Sequence, residues 1–256
     1  MFSEERRQEI LKRLEQNGRV LAKELADQFE MSIDSIRRDL SIMEEQGLLK
    51  RTHGGAIPIP NVRSMPGPPS KRYGEGNVYQ NAIAKLAVSY ITANQTVFIG
   101  GTSTHYVMLK YLPKDIAFTV ITNSVEIAYH LRDFENIQTY LIGGNVKRSG
   151  NITDALATEF AQQFTIDLCF ATAGAISSKG LSTATPEVSV FHKTVYGNSK
   201  KIIAILGHSK FGIDMFSRMY PVEKLDLIIT DEETAEEKIN MIQAQGVEII
   251  IAKIED

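Results

Sequence analysis

Seven short apolar, β-branched segments recur late in the chain, at 96–99, 118–121, 139–142, 167–171, 201–206, 225–230 and 247–252. Stretches of helical character, about ten residues each, separate most of them. The runs VFI, TVIT and IIAIL lack polar alternation, as strands covered on both faces do. Strand–helix alternation of this kind permits few folds. It predicts a mainly parallel α/β sheet with helices on both faces. Ligands of such sheets sit beyond the carboxyl ends of the strands, so residues at those ends become candidates.

The first 56 residues follow another pattern. Ile10, Leu11 and Leu14 point inward from a helix over 4–16, and Gly18 breaks it. A second short helix is expected over 21–29, through Leu21, Leu25 and Phe29. Ser32 suits the capping position of a third. Ile36, Leu40 and Met43 then make one apolar stripe at i, i+4, i+7. Arg37, Arg38 and Ser41 fall off that stripe and face outward. Gly47 suits a left-handed helix end. Lys50-Arg51-Thr52-His53-Gly54-Gly55 reads as a cationic hairpin tip. Three short helices with a tight turn before the third, plus a hairpin, make a winged helix-turn-helix. Ser32, Arg37, Arg38, Ser41, Lys50, Arg51 and Thr52 are then its candidate contacts to the phosphates and base edges of double-stranded DNA. His53 suits either a DNA contact or a turn.

Bulk charge gives no support for DNA binding. The formal net charge is −3, and residues 1–56 hold ten Lys/Arg against eleven Asp/Glu. Affinity must come from local placement of Arg37, Arg38, Lys50 and Arg51, with Glu4, Glu5 and Glu44 turned away. Two copies in a homo-oligomer, a dimer or tetramer, would strengthen it. Residues 57–76 hold five of the eight prolines and three glycines. This composition predicts a linker over 58–76, between a DNA-binding domain at 1–57 and an α/β domain at 77–256. Lys71-Arg72 offers added phosphate contacts or, as two charges in a loop more often are, is merely solvated. The single Cys169 excludes an internal disulfide, and no apolar run resembles a signal peptide or membrane span, so a cytoplasmic protein is expected.

Small, polar and glycine residues gather at the expected strand ends. Gly101, Thr102, Ser103 and Thr104 follow the first strand after Gly100, Thr122-Asn123-Ser124 ends the second, and Gly143-Gly144-Asn145 ends the third. His208, Ser209 and Lys210 follow the IIAIL strand, and Lys210 offers a point charge to an anion. Backbone N–H groups and hydroxyls in such loops favour phosphate, so a sugar-phosphate pocket is expected. Glu187 follows Pro186 at a helix start and suits a first-turn acid. His105, His130 and His192 lack metal-ligand spacing and read as structural or solvent-facing. No metal or cofactor is expected.

Arg6, Ile10 and Leu14, then Ser32, Ser35, Ile36, Arg37, Arg38, Asp39 and Leu40, with the following EEQGLLKRTHGGA, resemble the signature of DeoR-family bacterial transcription regulators. Ser35 stands where the family usually has Thr and keeps the hydroxyl for a DNA contact. The resemblance continues through Gly101–Thr104, Thr122-Asn123-Ser124, Leu141-Ile142-Gly143-Gly144, Lys179-Gly180-Leu181, Glu187, Ser209-Lys210-Phe211-Gly212 and Ile229-Thr230-Asp231. It implies a C-terminal effector domain similar to ribose-5-phosphate isomerase and glucosamine-6-phosphate deaminase, with Glu187 lining the pocket. It also implies a repressor of a sugar-metabolism operon, governed by a phosphorylated sugar. Gly100, Gly174 and Gly207 replace acidic or polar residues common in the family, and His208 stands where Ser is more usual.

An enzyme with a DNA-binding appendage is the alternative. Aldose–ketose isomerisation needs a positioned carboxylate or similar base, and the strand ends that should carry it are glycines here.

Overall fold

The apolar β-branched runs do form a parallel sheet, and their residues divide between its two faces. The computed structural model describes residues 3–17, 19–46, 48–58, 62, 65 and 67–254, with backbone alone for 15–17. The chain forms two compact units, Met1–Asn61 and Val62–Asp256. Gly18 and Gly47, expected as helix terminators, lie outside the described residues.

In the first unit the elements are α1 (Ser3–Asn17), β1 (Val20–Leu21), α2 (Ala22–Phe29), α3 (Ile33–Glu45), β2 (Lys50–Thr52) and β3 (Gly55–Ile57). The stripe Ile36, Leu40 and Met43 is buried against Ile10, Leu14, Leu25 and Leu49. Ser32 caps α3 by accepting the Ser35 backbone N–H. The turn before it is closed by Glu30 in a left-handed conformation at φ 52°. Leu21 corrects one expectation. It belongs to a strand rather than to α2, and it is 36% exposed. Val20 and Leu21 pair antiparallel with Ala56 and Gly55, so the sheet order is β1-β3-β2. Gly55 permits that approach: a Cβ there would stand 1.9 Å from Val20 O.

The second unit opens with a single helical turn, α4 (Pro69–Arg72), inside the Pro/Gly-rich segment. Proline tolerates a first helical turn, where its missing N–H is not needed. Then follow α5 (Val78–Val88), β4 (Thr96–Ile99), α6 (Ser103–Met108), β5 (Phe118–Thr122), α7 (Val125–Leu131), β6 (Ile137–Leu141), α8 (Ala155–Ala161) and β7 (Ile166–Ala171). Next are β8 (Ala175–Ser177), β9 (Gly180–Thr183), α9 (Pro186–Gly197), β10 (Ser199–Ile205), β11 (Ser217–Tyr220), β12 (Leu227–Asp231), α10 (Glu236–Gln243) and β13 (Ile249–Ala252).

Seven strands pair in parallel in the order β13-β12-β10-β7-β4-β5-β6. Successive strand residues point to opposite faces. Phe98, Ile121 and Cys169 therefore join Phe191 and Tyr196 of α9 on one side. Val97, Ile99, Val120 and Phe170 join Ile83 and Ala87 of α5 on the other. Cys169 is inert core, and burial pushes its thiol well above the ordinary range. A small antiparallel sheet, β11-β9-β8, is absent from the expected elements; its strands are only three or four residues long, and each carries a Ser. β6 begins two residues earlier than expected, because it is an edge strand with a weak apolar signal.

The chain runs outward from β4 to β6, then returns to β7 on the other side of β4. The carboxyl ends of β4 and β7 thus mark the topological switch point, where open α/β sheets bind ligands.

Candidate DNA-reading surface and effector site

On the first unit, α3 and the β2–β3 hairpin face one another across a shallow cleft lined by Arg37, Leu40, Arg51, Thr52 and His53. Arg37 and Arg38 are exposed, as are Lys50, Arg51, Thr52 and His53. Arg37 pairs loosely with Asp34 at 3.4 Å. Among the described residues Arg38 has no ion-pair partner. Ser32 and Ser35 hydroxyls bond each other at 2.8 Å. Ser41 is half-buried: its hydroxyl donates to Arg37 O and accepts from Arg51 Nη1 at 2.5 Å. Glu44 is not turned away. Its carboxylate accepts the Arg51 backbone N–H at 2.7 Å, giving an edge-strand donor a partner. Two further cations are neutralised internally. Asp39, 3% exposed, accepts from Arg6 Nε at 2.6 Å and from Arg7 Nε at 3.0 Å.

On the second unit, the ends of β4 and β5 and the loop after β6 come together. Gly101 lies against Asn151 and Ser124; a Cβ there would stand 1.8 Å from Asn151 Oδ1. Thr102 caps α6, and Ser103 and Thr104 are half-buried beside it. That helix is only 6 residues long, so loop groups rather than a helix dipole must supply any anion affinity. Thr122, Asn123 and Ser124 are all buried. Asn123 Nδ2 donates to Ile152 O, and Asn151 Nδ2 donates to Gly101 O, both at 3.0 Å. Each amide oxygen is left buried without a partner. His105 is buried and its pKa is lowered to about 4 by burial, so the ring is neutral. It donates from Nε2 to Phe170 O at 2.9 Å and leaves Nδ1 unpartnered. Arg72 Nε is a fourth such atom, and its Nη1 donates to Gly101 O. Arg72 is therefore half-buried on this site rather than solvated.

Several of the other candidates have partners of their own around this turn. Gly143 and Gly144 are exposed. Glu187 pairs with Lys147 at 2.6 Å and accepts from Thr153 Oγ1 at 3.3 Å. His208 is held by the fully buried Asp231, which accepts from its Nδ1 at 2.7 Å and its backbone N–H at 2.9 Å. Tyr79 meets the same imidazole edge-on. Ser209 and Lys210 are exposed, yet crowding lowers the Lys210 pKa by desolvation. β10 is separated from β4 only by β7, so this cluster borders the switch point. His130 bonds Tyr106 Oη, and His192 bonds Val188 O. Among the described residues no group of three or more His, Cys, Asp or Glu could hold a metal ion. No described helix is long and apolar enough to cross a membrane.

Sequence reasoning passed over Arg72, Lys147, Asn151 and the role of Asp231. All four act through partners distant in sequence, which spacing does not reveal.

A winged reading head joined to a parallel α/β unit with a polar switch point defines a DNA-binding transcription regulator. The model of the DeoR-like helix-turn-helix domain matches residues 6–61, and that of the DeoR C-terminal sensor domain matches residues 78–232. The chain is 30% identical to the HTH-type transcriptional regulator GolR of Listeria innocua, over 99% of this chain and 100% of that one. It is also 30% identical to the HTH-type transcriptional repressor GlcR of Bacillus subtilis, over 99% and 98%. Among solved structures it is similar to ribose 5-phosphate isomerase A of Methanocaldococcus jannaschii, at 16% identity over 51% of this chain and 52% of that one, with a TM-score of 0.38. The chain belongs to the DeoR family: it is a transcriptional regulator with a C-terminal sensor domain, and not an enzyme.

Proposed function

We propose that the sensor domain binds a phosphorylated sugar at the ends of β4, β5 and β6, and that binding alters the grip of α3 and the wing on an operator. One observation carries this reading. Of the unpartnered buried polar side-chain atoms among the described residues, four gather about Gly100 and Gly101, on Arg72, His105, Asn123 and Asn151. A buried polar atom without a partner costs about 1–3 kcal/mol. Two amide oxygens, an imidazole lone pair and a guanidinium N–H suit a polyhydroxylated ligand. Lys210, with Ser209 and His208, would hold its phosphate. Residues 1–57 would form the reading head, 58–76 the connection and 77–256 the sensor, in a cytoplasmic homodimer or tetramer that represses a sugar-metabolism operon.

The test uses the full chain with ribose 5-phosphate, glucose 6-phosphate, fructose 6-phosphate and glucosamine 6-phosphate, each beside its unphosphorylated sugar. At least one ester should raise the melting temperature and change affinity for the chain's own promoter fragment at fixed salt. Lys210→Ala should weaken that ester at least tenfold and leave the parent sugar unchanged. Equal loss for both would remove the phosphate assignment.

A further inference from the structure

Arg72 belongs in sequence to the segment that connects the two units, yet its side chain is built into the strand-end loops. Nη1 donates to Gly101 O, after β4, at 3.1 Å. Nη2 donates to Ser149 O, in the loop after β6, at 2.8 Å. The guanidinium lies 4.8 Å from the centre of the Tyr73 ring. That ring stacks flat on Tyr106 of α6, with centroids 4.6 Å apart and planes 3° off parallel. The Tyr73 hydroxyl also lies beside the Ser124 side chain, after β5. Asn151, from the same loop as Ser149, gives Gly101 O its second donor. Two consecutive residues thus touch the loops after β4, β5 and β6 at once.

We infer that Arg72 is the positioning residue that holds these three loops in one arrangement, and that it ties this arrangement to the segment running to the reading head. The inference rests on the strand ends being the effector site. A ligand there meets Gly101, Ser124 and Asn151, which are the partners of Arg72, Tyr73 and Gly101 itself. Any preference of the ligand for one loop arrangement is therefore a preference for one placement of residues 72–73. Such differential affinity is what couples two sites, and the coupling is commonly about 5–150-fold. A guanidinium can bridge two carbonyls in one plane; a lysine ammonium lacks that fork.

The experiment compares the full parent chain with Arg72→Ala and Arg72→Lys. Without ligand, hydrogen exchange should quicken together in peptides covering 100–104, 122–124 and 147–151 in both variants. Operator affinity is then read with the sugar ester that most stabilises the parent, held at saturation for each chain, so that weaker ester binding is not counted as lost coupling. The ester's effect on operator affinity, about tenfold in the parent, should fall below twofold. Unchanged exchange in two of the three loops overturns the inference, as does a parental operator response in the variants. If no ester stabilises the parent, the sugar-phosphate reading fails instead. The exchange results then decide on Arg72 alone: concerted loosening supports it, and no change overturns it.

Discussion

Replacing Asp39 with alanine should unfold the N-terminal unit and leave the sensor domain standing. Asp39 is buried between Arg6 and Arg7, whose side chains are 9% and 23% exposed. Removing the carboxylate leaves the Arg6 guanidinium charged, desolvated and unpaired. Breaking a buried pair in this way costs about 3–5 kcal/mol. A unit of 61 residues at roughly 0.05–0.15 kcal/mol per residue has a stability of only about 3–9 kcal/mol. The loss consumes much or all of that. In a domain of this size each kcal/mol moves the midpoint by about 4–8 °C. Thermal melts followed by circular dichroism should therefore show an early transition at least 10 °C below its parental position, with the later, sensor transition unmoved. Arg6→Met combined with Asp39→Leu should recover most of the loss, since no charge is then stranded. An Asp39→Ala chain that melts like the parent but fails to bind operator would refute the reasoning: Asp39 would then act on DNA rather than on the fold.

Arg37→Ala with Arg38→Ala should abolish operator binding in a mobility-shift assay while both melting transitions stay parental; loss of either transition would mean these side chains hold the fold. Gly55→Ala should loosen the wing, because its Cβ would collide with Val20 O; unchanged exchange of the Val20 and Ala56 amides would contradict the packing seen. Burial holds His105 at about 4 against an ordinary 6.5, so between those values the unfolded chain binds a proton that the native chain does not. The His105 contribution to sensor-domain stability should therefore be complete above pH 6.5 and fall as the pH drops toward 4, by up to about 3 kcal/mol, and His192, also held at about 4 by burial, adds a like loss. Urea midpoints across that range should show a shallower slope for His105→Gln, and an equal slope would sink the assignment.

What was legible in the sequence was what local contacts decide. The Ser32 cap and the Ile36, Leu40, Met43 stripe lie within a single helix, and the sequence pattern states them directly. The strands were legible at 97–99 and 202–206 because both faces are buried there, so each of those positions is apolar. Leu21 misled because its apolar side chain fits the α2 periodicity, while its backbone pairs with Gly55, 34 residues away. The chemical environment of the sensor site was the least legible part. Arg72 reaches Ser149 across 77 positions, Asn151 reaches Gly101 across 50, and Asp231 reaches His208 across 23. Nothing in the spacing of these residues distinguishes them from solvated loop polars. Gly207 was noted as a missing acid, yet Asp231 Oδ2 stands 3.3 Å from where a Cβ would be, committed to His208.

The hydrogen bond from Arg51 to Ser41, with that from the Arg51 amide to Glu44, fastens the hairpin to α3, the helix proposed to enter the groove. The distance between these two gripping parts is therefore set before any duplex arrives, and little ordering remains to be done on contact. The adjustment falls to the nucleic acid. Base steps that twist or narrow easily to match that fixed span should be favoured even where no side chain touches them.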